Sequence, residues 1–154
     1  MKLVELLDDV RRELNDLERT VQDSTGLLTH IGEREPTVYE QAGLALMLAQ
    51  WYNGIENILK RVSKYHAVRL PVGEDSHLQL FVRFCNPPAS PLPMLFPDHL
   101  REGFTIFRRF RHFTYHGYSL KIEWAKLILV LESLMPLWED FKHRIESYLE
   151  TLEQ

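Results

Sequence analysis

Apolar residues recur at alternating three- and four-residue steps along most of this chain, and that spacing constrains its fold more than any other feature. Val4, Leu7, Val10, Leu14, Leu17 and Val21 line one face of a helix and leave Asp, Glu and Arg side chains on the other. From Val38 to about Tyr65, Ala42, Ala45, Leu48, Ala49, Tyr52, Ile55, Leu59 and Val62 keep helical spacing over roughly seven turns. Leu100, Phe104, Phe107 and Phe110 or Arg111 mark a third helix. Trp124, Leu127, Leu131, Leu134, Trp138, Phe141, Ile145, Tyr148 and Leu152 carry a last one that begins near Leu120. No segment alternates as a strand does with comparable strength. The expectation is an all-α, antiparallel bundle of four to five helices.

Turn formers divide the stripes. Ser24, Thr25, Gly26, Gly32 and Pro36 are expected to end the first helix after Val21, with Leu27, Leu28 and Ile31 able to add a short turn. Thr37, with Glu40 three residues on, has the pattern of a capping box for the second helix. Gly54 lies inside that helix without breaking its period, which suggests close packing against a neighbour. Between residues 70 and 97, Pro71, Gly73, Pro87, Pro88, Pro91, Pro93 and Pro97 exclude a continuous helix and leave room for a short one over Ser76 to Phe84, capped by Asp75 or Ser76. Pro136 falls inside the last helix and is expected to kink it.

The chain has 154 residues, 45% of them hydrophobic and 26% charged, which suits one folded domain over 1–154 with an irregular Pro-rich connection at about 70–97. Cys85 is the lone cysteine, so no intramolecular disulfide forms and a reducing, cytoplasmic setting is expected. The N-terminal residues interleave charges with apolar side chains, unlike a signal peptide, and no apolar run reaches the ~18 residues of a membrane span. The net charge of -4 argues against bulk coating of nucleic acid. Residues 101–121 nevertheless carry a formal +4, which leaves -8 for the rest and favours a confined phosphate site.

That cationic stretch holds the chemistry. Arg108, Arg109, Arg111, His112, Tyr115, His116 and Tyr118 lie within eleven residues of one another. An arginine supplies a permanent cation and a histidine a proton carrier near neutral pH, the two requirements of phosphodiester cleavage without a metal. Arg111 and His116 are five apart, about 140° around a straight helix, so they converge only if the helix opens before His116. Gly117 as a left-handed terminator supports such an opening, and His116 near the negative helix end would hold its proton more strongly.

The run of Arg111, four residues, His116, one residue and Tyr118 resembles the signature of HepT-type toxins, HEPN-superfamily ribonucleases paired with a minimal nucleotidyltransferase antitoxin. Trp51 to Leu59 and Asp75-Ser76-His77-Leu78 are similar to the corresponding helix and loop of that family, and the likeness extends over nearly the whole chain. The long Pro-rich connection after Phe84 departs from the commonest relatives. The resemblance implies a homodimer in which Arg111 and His116 of both subunits line one cleft. In that reading Arg111 positions or stabilises the scissile phosphate of a substrate that is either tRNA or mRNA, and His116 moves protons during attack by the ribose 2′-hydroxyl, without any cofactor. It further implies that the antitoxin transfers AMP from ATP to Tyr118 and so blocks the cleft.

Plainer readings stand beside these. Arg108 and Arg109 either guide RNA or form a solvated basic face, and Glu56 either lines the cleft, orients Arg111 or is an ordinary helix-surface charge. His112 and His116 have the four-residue spacing of a metal pair that Glu56 or His66 would complete, although no third ligand has a spacing that points to it. A non-catalytic helical module that binds a nucleotide or a protein through the same pocket is the alternative function.

Overall fold

The computed structural model describes residues 1–117 and 123–154. Five helices make up that part of the chain: α1 (Leu3–Ile31), α2 (Val38–Tyr65), α3 (Ser76–Val82), α4 (Asp98–His116) and α5 (Trp124–Glu153). The architecture is all-α, as the apolar stripes require. Among the described residues the one β-type contact is an isolated bridge between Cys85 and Phe96.

Side-chain pairs fix the helix directions. Arg11 near the start of α1 meets Glu153 at the end of α5, and Glu18 meets Trp138 and Lys142, so α1 and α5 run antiparallel. Glu13 pairs with Arg61 while Ser24 reaches Met47, which sets α2 antiparallel to α1. His99 with Asp140 and Gly103 with Leu137 do the same for α4 and α5. α2 packs against all four other helices and is buried on most of its circumference. A helix in that position must be apolar nearly all round, so a polar residue within it needs a specific partner.

α1 runs nearly three turns beyond the expected stop and ends at Gly32, whose φ of 59° lies in the left-handed region. The hydroxyls that suggested a turn are absorbed by the helix: Ser24 Oγ donates to the Thr20 carbonyl at 2.8 Å and Thr29 Oγ1 to that of Thr25 at 3.0 Å. Ile31 is buried and Leu27 and Leu28 pack against the core, so the extension gains apolar contact. The α2 cap forms as the sequence indicates, with Thr37 Oγ1 accepting from Glu40 N at 3.1 Å and Thr37 N donating to Glu40 Oε1 at 2.9 Å. α3 stops at Val82, and Asp75 makes no side-chain cap bond. α5 continues through Pro136.

The Pro-rich connection belongs to the core. Phe84, Cys85, Leu92, Leu95 and Phe96 are all buried, and the Phe84 carbonyl accepts from both Leu95 N and Phe96 N at 3.0 Å. Phe96 packs on Phe81, Phe104 and Phe141, while Trp51 stacks on Phe104 and meets Phe107 and Trp138. Each such ring contributes about 1.5–3 kcal/mol of burial energy. The aromatic cluster thereby anchors α3 and α4 on α2 and aligns the polar residues at their edges.

Candidate active site at the edge of helices 2, 3 and 4

On α4, Arg111, Tyr115, Arg108 and His112 fall within an arc of about 100°, directly beside the face that carries Phe104 and Phe107 into the core. Arg111 therefore emerges at the border of the apolar interface, with its side chain 17% exposed. Its Nε donates to Asn53 Oδ1 at 2.5 Å and lies 3.5 Å from Glu56 Oε1. Asn53 Nδ2 in turn donates to the Tyr115 hydroxyl at 3.0 Å, and the guanidinium carbon stands 5.0 Å from the Tyr115 ring centre. These contacts engage Nε and the planar face, and the Nη groups have no hydrogen-bond partner among the described residues.

Glu56 is 2% exposed and sits on the central helix. An ionised carboxylate in that position is costly unless both oxygens are matched. Oε1 faces Arg111, and Oε2 lies 2.6 Å from His77 Nδ1, contributed by the second residue of α3. The ordinary-surface reading of Glu56 is thereby corrected: the carboxylate is turned inward, between Arg111 and His77. Beneath it, burial first and the Glu56 charge second push the Tyr52 phenol well above its usual range, so its proton stays on.

His116 occupies the last position of α4, exposed, with its ring centre 4.4 Å from that of His112. The expected opening before it is absent. Gly117 N donates to the Phe113 carbonyl at 2.9 Å, which keeps the helical ladder closed through His116. Gly117 itself is extended, with φ -82° and ψ 127°, and is not a left-handed terminator. Arg111 and His116 of one chain consequently stay about 140° apart around the helix axis. Tyr118, the expected modification site, lies outside the described residues.

Between α3 and α4 opens a cleft of about 310 Å³, lined by Glu74, Asp75, His77 and Leu78 on one side and Arg108, Arg109, Arg111 and His112 on the other. Arg108 has its Nε buried without a hydrogen-bond partner among the described residues and its guanidinium 6.0 Å from the Phe81 ring centre. The three guanidinium groups outnumber the two carboxylates of Glu74 and Asp75, and with two imidazoles on the same wall the hollow suits a phosphate and a proton transfer at that phosphate. A larger hollow of about 460 Å³ beside Met1, Lys60, Lys64 and Leu70 has no imidazole in its lining. Among the described residues no three His, Cys, Asp or Glu side chains are placed to share a metal ion, His112 and His116 included. No helix of the described residues is long and apolar enough to cross a membrane.

Asn53 and His77 escaped selection as site residues by sequence reasoning. Their signal was faint: Asn53 and Glu56 are polar positions three apart in an apolar helix, and His77 stands alone in an irregular stretch. Both lie within residues 43–152, the span matched by a family model of HepT-like proteins. No curated protein and no solved structure matches the chain. The match runs from α2 through α5 and takes in Asn53, Glu56, His77, Arg111 and His116, so by more than half of its length the chain belongs to the family of HepT-like proteins.

Proposed function

We propose that this chain is a metal-independent endoribonuclease, the toxin of a toxin–antitoxin pair, acting in the cytoplasm on tRNA or mRNA. The observation that carries the reading is Arg111, held at Nε by Asn53 beside the buried Glu56 carboxylate, with the Arg-x4-His-x-Tyr pattern following it. A guanidinium fixed in this way presents its two Nη groups to a phosphate with little entropy left to lose, and it stabilises the charge that builds on the phosphoryl oxygens. Arg108 and Arg109 extend the cationic lining along the RNA backbone.

His116 supplies the proton for the leaving 5′-oxygen. Because it stands about 140° from Arg111 in its own chain, it acts in a homodimer whose α4 ends face each other. Phe113 and Tyr115, 48% and 44% exposed beside it, furnish apolar surface for that contact. A cognate minimal nucleotidyltransferase silences the enzyme by placing AMP on Tyr118, next to the pair, where added negative charge repels RNA.

Incubation of the purified protein with total RNA in EDTA tests the proposal against Arg111→Ala and His116→Ala. We expect cleavage by the natural chain and a loss of about 100-fold or more in each variant. Equal cleavage by all three would overturn it. Co-expression with the antitoxin should add AMP mass to the peptide containing Tyr118, and an adduct elsewhere removes the regulatory part.

A second reading is favoured by the separation of Arg111 and His116 within one chain: a non-catalytic module that binds a nucleotide in the cationic cleft. It requires saturable binding of AMP or a short RNA that Arg111→Ala weakens, with no RNA cut under any condition.

A further inference from the structure

Of the two imidazoles that line the cleft with Arg111, His77 is the one that shares a buried carboxylate with it. Its Nδ1 lies 2.6 Å from Glu56 Oε2, and Arg111 Nε lies 3.5 Å from the other oxygen of the same carboxylate. One buried anion thus holds a cation and an imidazole on the wall of one cleft, whose lining contains both. α3 brings His77 there because Leu80 and Phe81 bury on the core and leave the N-terminal end of this short helix at the cleft rim. The His77 side chain is 40% exposed, enough for a ligand to reach it, while Glu56 is closed off from solvent.

A carboxylate at Nδ1 does two things to a histidine. It fixes the neutral ring in the Nδ1–H tautomer, leaving the lone pair on Nε2, and it stabilises the imidazolium that forms when Nε2 takes a proton. Metal-free cleavage at a ribose phosphate needs a base as well as an acid, and with His116 assigned as the acid above the base is still to be named.

We propose that His77, oriented by Glu56, is a second catalytic residue of the cleft and the general base of RNA cleavage. The inference rests on the ribonuclease reading above. The 2′-hydroxyl gives its proton to His77 Nε2 as the 2′-oxygen forms its bond to phosphorus. The bond from phosphorus to the 5′-oxygen breaks, and that oxygen leaves with a proton from His116. A 2′,3′-cyclic phosphate and a 5′-hydroxyl result. Arg111, held by the same carboxylate, stabilises the phosphoryl oxygens throughout, so Glu56 sets the spacing between the base and the charge it helps to create.

His77→Asn is the discriminating variant, because its side-chain N–H replaces the imidazole Nδ1–H toward Glu56 but no atom replaces Nε2. The substrate is a single-stranded oligoribonucleotide that the natural chain cuts, prepared once with its normal 5′-oxygen and once with sulfur as the bridging leaving atom. Sulfur departs without protonation, so loss of an acid is compensated and loss of a base is not. We expect His77→Asn and His77→Ala to lose about 100-fold in kcat with KM within about threefold, and to stay impaired on the sulfur substrate. His116→Ala should recover on it. His77→Asn with activity near that of the natural chain would reduce His77 to a structural tie, and recovery of either His77 variant on the sulfur substrate would equally overturn the assignment as base. Both results leave the ribonuclease reading intact, whereas a natural chain that cuts no RNA removes both.

Discussion

At the residue scale, the site depends on how one guanidinium is held. Arg111 uses Nε for Asn53 and Glu56 and its flat face for Tyr115, and its outer nitrogens have no hydrogen-bond partner among the described residues. A lysine carries the same charge with neither the fork nor the Nε contact, so the two residues are not equivalent here. Arg111→Lys should therefore lose about 100-fold in kcat/KM on RNA while unfolding within about 1 kcal/mol of the natural chain, as measured by a cleavage assay and a urea titration. A lysine variant that retains most of the activity would mean that charge alone matters. Arg111, His116 and Tyr118 stood out in the sequence because they are adjacent in it. Asn53 and His77 did not, because their relation to Arg111 exists only after α2, α3 and α4 have packed.

At the scale of the elements, α2 carries most of the construction. Its N-terminus is tied by Arg34, whose two Nη groups donate to the two Glu40 oxygens at 2.7 and 2.6 Å. That hydrogen bond, then the Thr37 backbone N–H, hold the Glu40 carboxyl down to about 2 from an ordinary 4.5. A carboxyl held low in the folded chain contributes stability that is full above its ordinary value and is lost as pH falls through about 2. Glu40→Gln should accordingly lower Tm at neutral pH, and the gap to the natural chain should narrow steadily from pH 4.5 to pH 2 in thermal melts followed by circular dichroism. A gap that stays constant over that range would assign the effect to something other than the ionised cap. Further along α2, a Cβ on Gly54 would come within 3.1 Å of Leu17 Cγ and 3.0 Å of Glu13 Oε1, with Leu17 Cδ2 closer still. Leu17 is buried and has little room to turn. Overpacking of this kind costs about 1–3 kcal/mol, against a gain of about 1 kcal/mol in helix propensity. We expect Gly54→Ala to be destabilised by up to about 2 kcal/mol in urea, and a stabilised variant would mean that α1 and α2 separate without cost.

At the scale of the whole molecule, the proposed chemistry needs a partner chain to bring His116 toward an Arg111 that its own chain keeps about 140° away. If the two come from different subunits, inactive Arg111→Ala and inactive His116→Ala proteins should regain activity when unfolded together and refolded as a mixture. Each mixed dimer would then hold one complete site, giving roughly a quarter of the natural rate, and a mixture as inactive as its parts argues for sites formed within single chains. The apolar period by itself determined the main helices and the all-α class, though it stopped α1 nearly three turns short, because helix formation follows from local spacing and from which face must leave water. It also determined where the cations concentrate, since they are neighbours in the chain. Only the tertiary structure decided that α1 continues through Ser24 and Gly26, because the gain comes from core contacts made by Ile31, Leu27 and Leu28. It alone decided that α4 stays closed at His116, that Glu56 is buried, and that His77 shares its carboxylate with Arg111. The last two are contacts between residues up to 55 positions apart along the chain, and no local rule of spacing carries the energy of a buried charge seeking its partners.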